Sequence, residues 1–284
     1  MTKQDILTDL DKINDLPTLP VAAFKFNQMV AEGTASMKEI SIALGQDQAI
    51  VLKILKMANS AFFGLRKKVE NLQHAVVILG INTVRNAVLS LSVVDCFKAG
   101  GKENTGDAMS LWKHSLAVAV TGQYLSQQTK VSTPDDCFVG GLLHDVGKLV
   151  LLQYFPQTMD SVRQAMAEKP ASFLMAEREL TNANHAVIGG ALAKKWRLPE
   201  GLLGVIKNHH TMSSSSVDMD RLKVVHAANI IVNGYLGDYL GRKWPLSTHP
   251  SVEALMKKRL NTVDIWFPEI EPHIQEACSF FLEE

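Results

Sequence analysis

The residues with the clearest chemical potential are His144 and Asp145, adjacent to each other in PDDCFVGGLLHDVGKLVLLQY, residues 134–154. A neutral imidazole and an ionised carboxylate are both ligands for divalent first-row metals. The surrounding Leu, Val, Gly and Phe imply burial, which a carboxylate tolerates only beside a cation or hydrogen-bond donors. The chain has nine histidines, and six of them, His114, His144, His185, His209, His210 and His226, fall between residues 114 and 226. One buried histidine is ordinarily a hydrogen-bonded core residue. Several imidazoles arriving from different helices beside one carboxylate can instead converge on one or two metal ions, because bundle cores gather ligands from facing helices. His226 and His74 are expected to serve packing or the surface.

The elements that must position these groups read as helices throughout. Apolar residues recur at helical spacing in 5–13, 23–30, 37–44, 48–58 and 72–94, and no stretch alternates as a half-buried strand does. Ser36 with Glu39 offers a capping box, Asp47 an N-cap and Gly33 a C-terminal cap. Residues 98–107, KAGGKENTGD, form the best linker, followed by a long helix over 108–128 that carries His114. Thr133 and Pro134 then start a helix expected to continue to Tyr154, with Asp135 and Asp136 at its positive end. Gly140 and Gly141 weaken that helix intrinsically, so another backbone is expected to pack close just before His144. Asn184 or Asn182 can cap the helix of His185, and Pro199 opens one ending at His209 and His210. Pro245, Pro250 and Pro268 are expected as breaks beyond it. The fold class is therefore all-α, in two closely packed helical lobes over 1–104 and 105–284.

Composition narrows the function classes. Lys plus Arg equals Asp plus Glu at 29 each, so no overall field draws the chain to nucleic acid. Three scattered cysteines without CxxC spacing suit a reduced, cytoplasmic protein. The first residues lack an apolar signal core, and the apolar runs are too short and interrupted for a membrane span. Residues 37–56 do match a helix-turn-helix pattern, which makes a DNA-binding regulator the third functional reading. Its second helix would present Asp47, Gln48, Leu52, Lys53 and Lys56 outward, and an acid and a leucine are repelled or wasted against phosphates.

The order His114, His144-Asp145 with Gly147 and Lys148, His185, then His209-His210 resembles the HD superfamily of metal-dependent phosphohydrolases, especially its cyclic dinucleotide phosphodiesterase branch. LPTLP at 16–20, LKILKMANSAFFG at 52–64 and HAVVILG at 74–80, preceding WKHS at 112–115 and GLLHDVGKL at 141–149, are similar to the HDOD family, the HD-related output domain. That resemblance implies an HD-like multi-helix bundle behind an N-terminal helical lobe, acting as a bacterial signalling output module with signalling proteins as partners. It also implies metal ligands at His114, His144, Asp145, His185, His209 and His210, with Asp145 and Lys148 as the catalytic pair of the hydrolase branch. The implied cofactor is a mono- or dinuclear divalent metal, Fe, Mn, Mg or Ni, and the implied ligand a nucleotide or cyclic dinucleotide. Two departures stand out: the late aspartate of the superfamily corresponds to Asn229, and an acid that some two-metal members carry before the first histidine falls near Ser110. Both remove anionic ligation. A regulatory, weakly active or non-catalytic protein is thus the leading expectation, with a metal-dependent phosphohydrolase as the alternative.

Overall fold

A computed structural model describes residues 4–13, 16, 18–33, 36–45, 47–59, 68–98, 105–168, 172–212, 218–238 and 240–282. The described residues are helical with no strand, and one isolated parallel bridge pairs Gln4 with Thr181. The first half contributes α1 (Ile6–Lys12), α2 (Val21–Glu32), α3 (Met37–Gly45), α4 (Gln48–Ala58), α5 (Leu72–Leu79) and α6 (Ile81–Lys98). The second contributes α7 (Thr105–Thr129), α8 (Pro134–Leu143), α9 (Val146–Tyr154), α10 (Pro156–Glu168), α11 (Phe173–Leu180), α12 (His185–Lys195), α13 (Glu200–Asn208), α14 (Met219–Tyr235), α15 (Pro250–Leu260) and α16 (Val263–Leu282).

Local chemistry sets many of these boundaries. Ser36 and Glu39 form the reciprocal capping box, Asp47 accepts from the Ile50 amide, and Gly33 closes α2 at φ 66°. Most of the expected 98–107 linker, the 213–216 serines and part of 58–68 lie outside the described residues. A smaller core joins α2 to α6 around Phe26, Leu44 and Ile54, whereas Ile6 and Leu10 of α1 pack into the larger core built on α7.

Around α7 pack α8, α14 and α16. The approach of α8 is close: a Cβ on Gly141 would lie 2.7 Å from the Ala119 Cα, as the paired glycines lead one to expect. The next contact is tighter still, because a Cβ on Gly147 would lie 1.9 Å from the His185 carbonyl oxygen. Only a residue without a side chain lets α9 and α12 meet there.

Two boundaries differ from the sequence expectation. The helix over 134–154 is broken at His144 and Asp145, where Asp145 adopts φ −100°, ψ 13° and the Lys148 amide bonds its carbonyl at 2.8 Å. Adjacent residues of a straight helix point about 100° apart; the turn instead brings the Asp145 carboxylate to 3.2 Å from His144 Nε2. At the other end, Pro268 lies inside α16 rather than breaking it, and Pro272 lies inside the same helix. Both are exposed while Trp266, Phe267, Ile270 and Ile274 between and beside them are buried, so the carbonyls they leave unpaired face solvent.

The acids at the start of α8 do more than complement its dipole. Asp136 pairs with Arg221 of α14 at 2.8 Å and accepts from Asn86 of α6, and Asp135 accepts from Thr83 of α6. The helix-turn-helix face is likewise engaged, since Lys53 pairs with Asp95 of α6 at 2.5 Å. No single helix among the described residues is long and apolar enough to cross a membrane.

Substituting Gly147→Ala is expected to cost more than about 3 kcal/mol, because backbone rather than a movable side chain blocks the methyl group. Gly45→Ala, with open space around it, is expected to be neutral or to stabilise by up to roughly 1 kcal/mol. Denaturant titration of the two variants checks the contrast.

Candidate metal centre

Five elements deliver the cluster. His114 comes from the middle of α7, His144 and Asp145 from the α8–α9 break, Lys148 from the first turn of α9, and His185 opens α12. His209 and His210 follow the last turn of α13. His144, His185 and His209 are inaccessible to solvent and Asp145 is 2% exposed.

Hydrogen bonds fix which nitrogen each imidazole offers. His144 Nδ1 donates to the Gly141 carbonyl at 2.6 Å, and His209 Nδ1 to the Ile206 carbonyl at 2.9 Å. His185 Nδ1 donates to Glu177 Oε2 at 2.5 Å. Acceptor oxygens carry no proton, so these rings hold theirs at Nδ1 and turn an Nε2 lone pair inward.

The inward nitrogens converge on Asp145. Its Oδ1 lies 3.2 Å from His185 Nε2 and 3.6 Å from His209 Nε2, and its Oδ2 lies 3.2 Å from His144 Nε2 and 3.7 Å from His114 Nε2. His185 Nε2 is also 3.3 Å from His209 Nε2 and 2.8 Å from His210 Nε2. Asp145 Oδ1 and His144 Nε2 are buried without a hydrogen-bond partner. Electron-rich atoms facing one another out of water repel unless a cation lies between them, so the donor set fits a divalent metal. Two groups have ligand atoms mutually within 4.8 Å: Asp145, His185, His209 and His210, and His114, His144 and Asp145.

The protonation balance suits ligation. Burial pushes His114 and His209 down to about 3, and His210 falls well below the ordinary imidazole value through burial and its neighbours His209 and His185. Burial opposes the Asp145 charge, but its neighbours His144 and Lys148 more than offset that and hold its carboxyl well below the usual range. His185 is the exception: burial lowers it, and the Glu177 charge with other contacts more than offsets that, so its pKa is raised. Lys148 is 7% exposed, with Nζ 2.6 Å from Asp145 Oδ2 and 5.0 Å from the Phe173 ring centre. Its burial sets it apart from a solvated helix-end cation.

The two sequence departures have structural counterparts. Asn229 Oδ1 sits 3.1 Å from His114 Nε2 and accepts from Asn233 Nδ2 at 3.0 Å. As a hydrogen bond, this contact places the His114 proton on Nε2, where a metal would need a lone pair. Ser110 Oγ donates to Gly106 O on its own helix. His226 Nδ1 donates to the His209 carbonyl, and so buttresses the turn that carries the ligands.

Glu177 and Asn233 are participants that sequence reasoning missed. Glu177 could have been found from its spacing, since four residues separate it from Phe173 and place both on the apolar face of α11. Beside the cluster a cleft of about 220 Å³ is lined by Lys148, Phe173, His210, Asn229 and Trp244.

Among solved structures, the chain is similar to an HDOD domain protein of unknown function from Geobacter sulfurreducens, with 25% identity, a TM-score of 0.79 and coverage of 95% of this chain and 96% of that one. It shares its fold with a protein from Shewanella amazonensis SB2B described as "Putative phosphohydrolase", at 22% identity, a TM-score of 0.75 and 97% coverage of each chain. An uncharacterized protein of Treponema pallidum (strain Nichols) is 26% identical over 203 residues, 71% of this chain and 39% of that protein. The chain spans about two fifths of the length of the two curated relatives it matches, 39% and 38%. The HDOD domain model matches residues 16–212, from the turn before α2 to the turn that presents His209 and His210, and the chain belongs to the HDOD family.

Proposed function

We propose that this chain is a regulatory output module of a signalling system, whose buried cluster binds one divalent cation and acts through binding rather than turnover. Asp145, His185, His209 and His210 would hold the ion, and the imidazole-rich set favours Fe or Ni over Mg or Mn. When bound, the cation supplies Lewis acidity toward an anionic ligand. The chain's own residues do the rest. Glu177, Gly141 and Ile206 orient the rings, Lys148 balances the Asp145 charge, and the helix packing excludes water. Output would pass to a signalling protein through the N-terminal helices.

One observation carries this reading: Asn229 Oδ1 at 3.1 Å from His114 Nε2. A neutral oxygen stands where the hydrolase branch places an anion, and it ties up the His114 nitrogen as a donor. The second group of ligands is thereby left short of both charge and a lone pair, and a two-metal clamp on a transferring phosphoryl group needs both. The second reading, a metal-dependent phosphohydrolase acting on a nucleotide or cyclic dinucleotide, is favoured by Lys148, a cation on the cleft wall suited to a phosphoryl oxygen.

Three outcomes are expected. Chain purified without chelator carries about one equivalent of metal by elemental analysis, and Asp145→Ala and His209→Ala each lose it. Phosphodiesterase assays with Fe, Mn, Mg or Ni show no turnover above blank; turnover abolished by Asp145→Ala would replace the binding reading with the hydrolase one. Asn229→Asp should strengthen metal binding by about tenfold, roughly 1.4 kcal/mol, in a calorimetric titration.

The metal-free chain should also lose stability in acid. His114, His209, His210 and His226 have folded pKa values below that of the unfolded ring, so their contribution is complete above pH 6.5 and declines as pH falls toward about 3. His185 is raised and works in the opposite sense, one ring against four. Thermal melts of chelated protein should fall by several degrees between pH 7.5 and 5, at roughly 2–4 °C per kcal/mol.

A further inference from the structure

Glu177 is wholly buried, and its two oxygens serve one residue: Oε1 accepts the His185 backbone amide at 2.9 Å and Oε2 accepts His185 Nδ1 at 2.5 Å. The carboxylate reaches eight residues forward from α11 to the first residue of α12, across a loop held on the Thr181 hydroxyl and the Asn184 cap. A buried anion spent on a single imidazole is costly as a structural device, because a neutral carbonyl would orient the ring equally well, as those of Gly141 and Ile206 do for His144 and His209. The difference between the three rings is charge.

We infer that Glu177 is a positioning residue that supplies, through His185, part of the negative charge that Asn229 fails to provide. Its carboxylate draws the Nδ1 proton and makes His185 Nε2 a stronger metal donor than the rings held by backbone carbonyls. The cluster thus combines Asp145 as its directly ligating anion with a second anion one hydrogen bond further out, and Lys148 offsets one of them. The inference rests on the metal reading proposed above.

The test is metal titration of the purified chain, stripped and reloaded with Ni, for wild type, Glu177→Gln and Asn184→Ala. Asn184→Ala removes the cap of the same helix without changing charge and controls for simple loosening. Wild type should bind, Glu177→Gln should bind 10–100-fold more weakly with a smaller metal-induced rise in Tm, and Asn184→Ala should lower Tm while keeping the wild-type affinity. Equal affinity in wild type and Glu177→Gln would overturn the role of Glu177 and leave the metal reading standing. No binding by wild type would overturn both. If Glu177→Gln does not fold, proton NMR of the wild type with diamagnetic Zn gives the answer. A downfield His185 Nδ1–H resonance that persists on Zn addition supports the role, and its absence or loss overturns it.

Discussion

The interaction on which the site depends is the burial of the Asp145 carboxylate among imidazole lone pairs. Lys148 at 2.6 Å supplies one positive charge, and the low histidine pKa values mean that His114, His209 and His210 supply none near neutrality. The second carboxylate, Glu177, draws one imidazole proton outward. A cavity that keeps its carboxylate ionised while His114, His209 and His210 stay neutral is prepared for a cation, and the cost of desolvating these groups is offset only when they are paired.

Holding that arrangement is a packing problem before it is a chemical one. Gly147 permits backbone contact between α9 and α12, which brings Asp145 to His185. Gly141 permits the same closeness between α8 and α7, which brings His144 toward His114, with ring centres 5.6 Å apart. The two glycines flank the His-Asp pair, so the spacing that marks the motif in the sequence is also the spacing of the closest helix contacts. Interiors packed at this density transmit small displacements, and the Asp136–Arg221 pair ties the start of α8 to the helix that carries Asn229.

Much of the organisation was legible in the residue order, because it rests on local rules. Helical periodicity, the Ser36–Glu39 box and the Asp47 and Asn184 caps each involve groups within a few residues of one another, and each forms as expected. The break at His144–Asp145 was not legible, since an apolar run without proline reads as continuous helix, and only the pull of long-range partners bends it. Pro268 misled in the other direction: its effect depends on whether the freed carbonyl faces water, a question of which side of α16 is buried.

His114, His144, Asp145, His185, His209 and His210 could be picked out as a set from residue type, order and family resemblance, because ligand chemistry resides in the side chains themselves. What the sequence by itself determined was therefore the helical class, the HDOD membership and the inventory of groups capable of chemistry. Only the tertiary structure decided how those groups are wired: which nitrogen of each ring faces inward, that the Asn229 oxygen faces His114, and that Glu177 stands behind His185. The reason is physical. Proton placement on an imidazole follows from which of its nitrogens meets an acceptor, and for His185 and His114 the facing oxygen comes from another helix, 8 and 115 residues away in the chain.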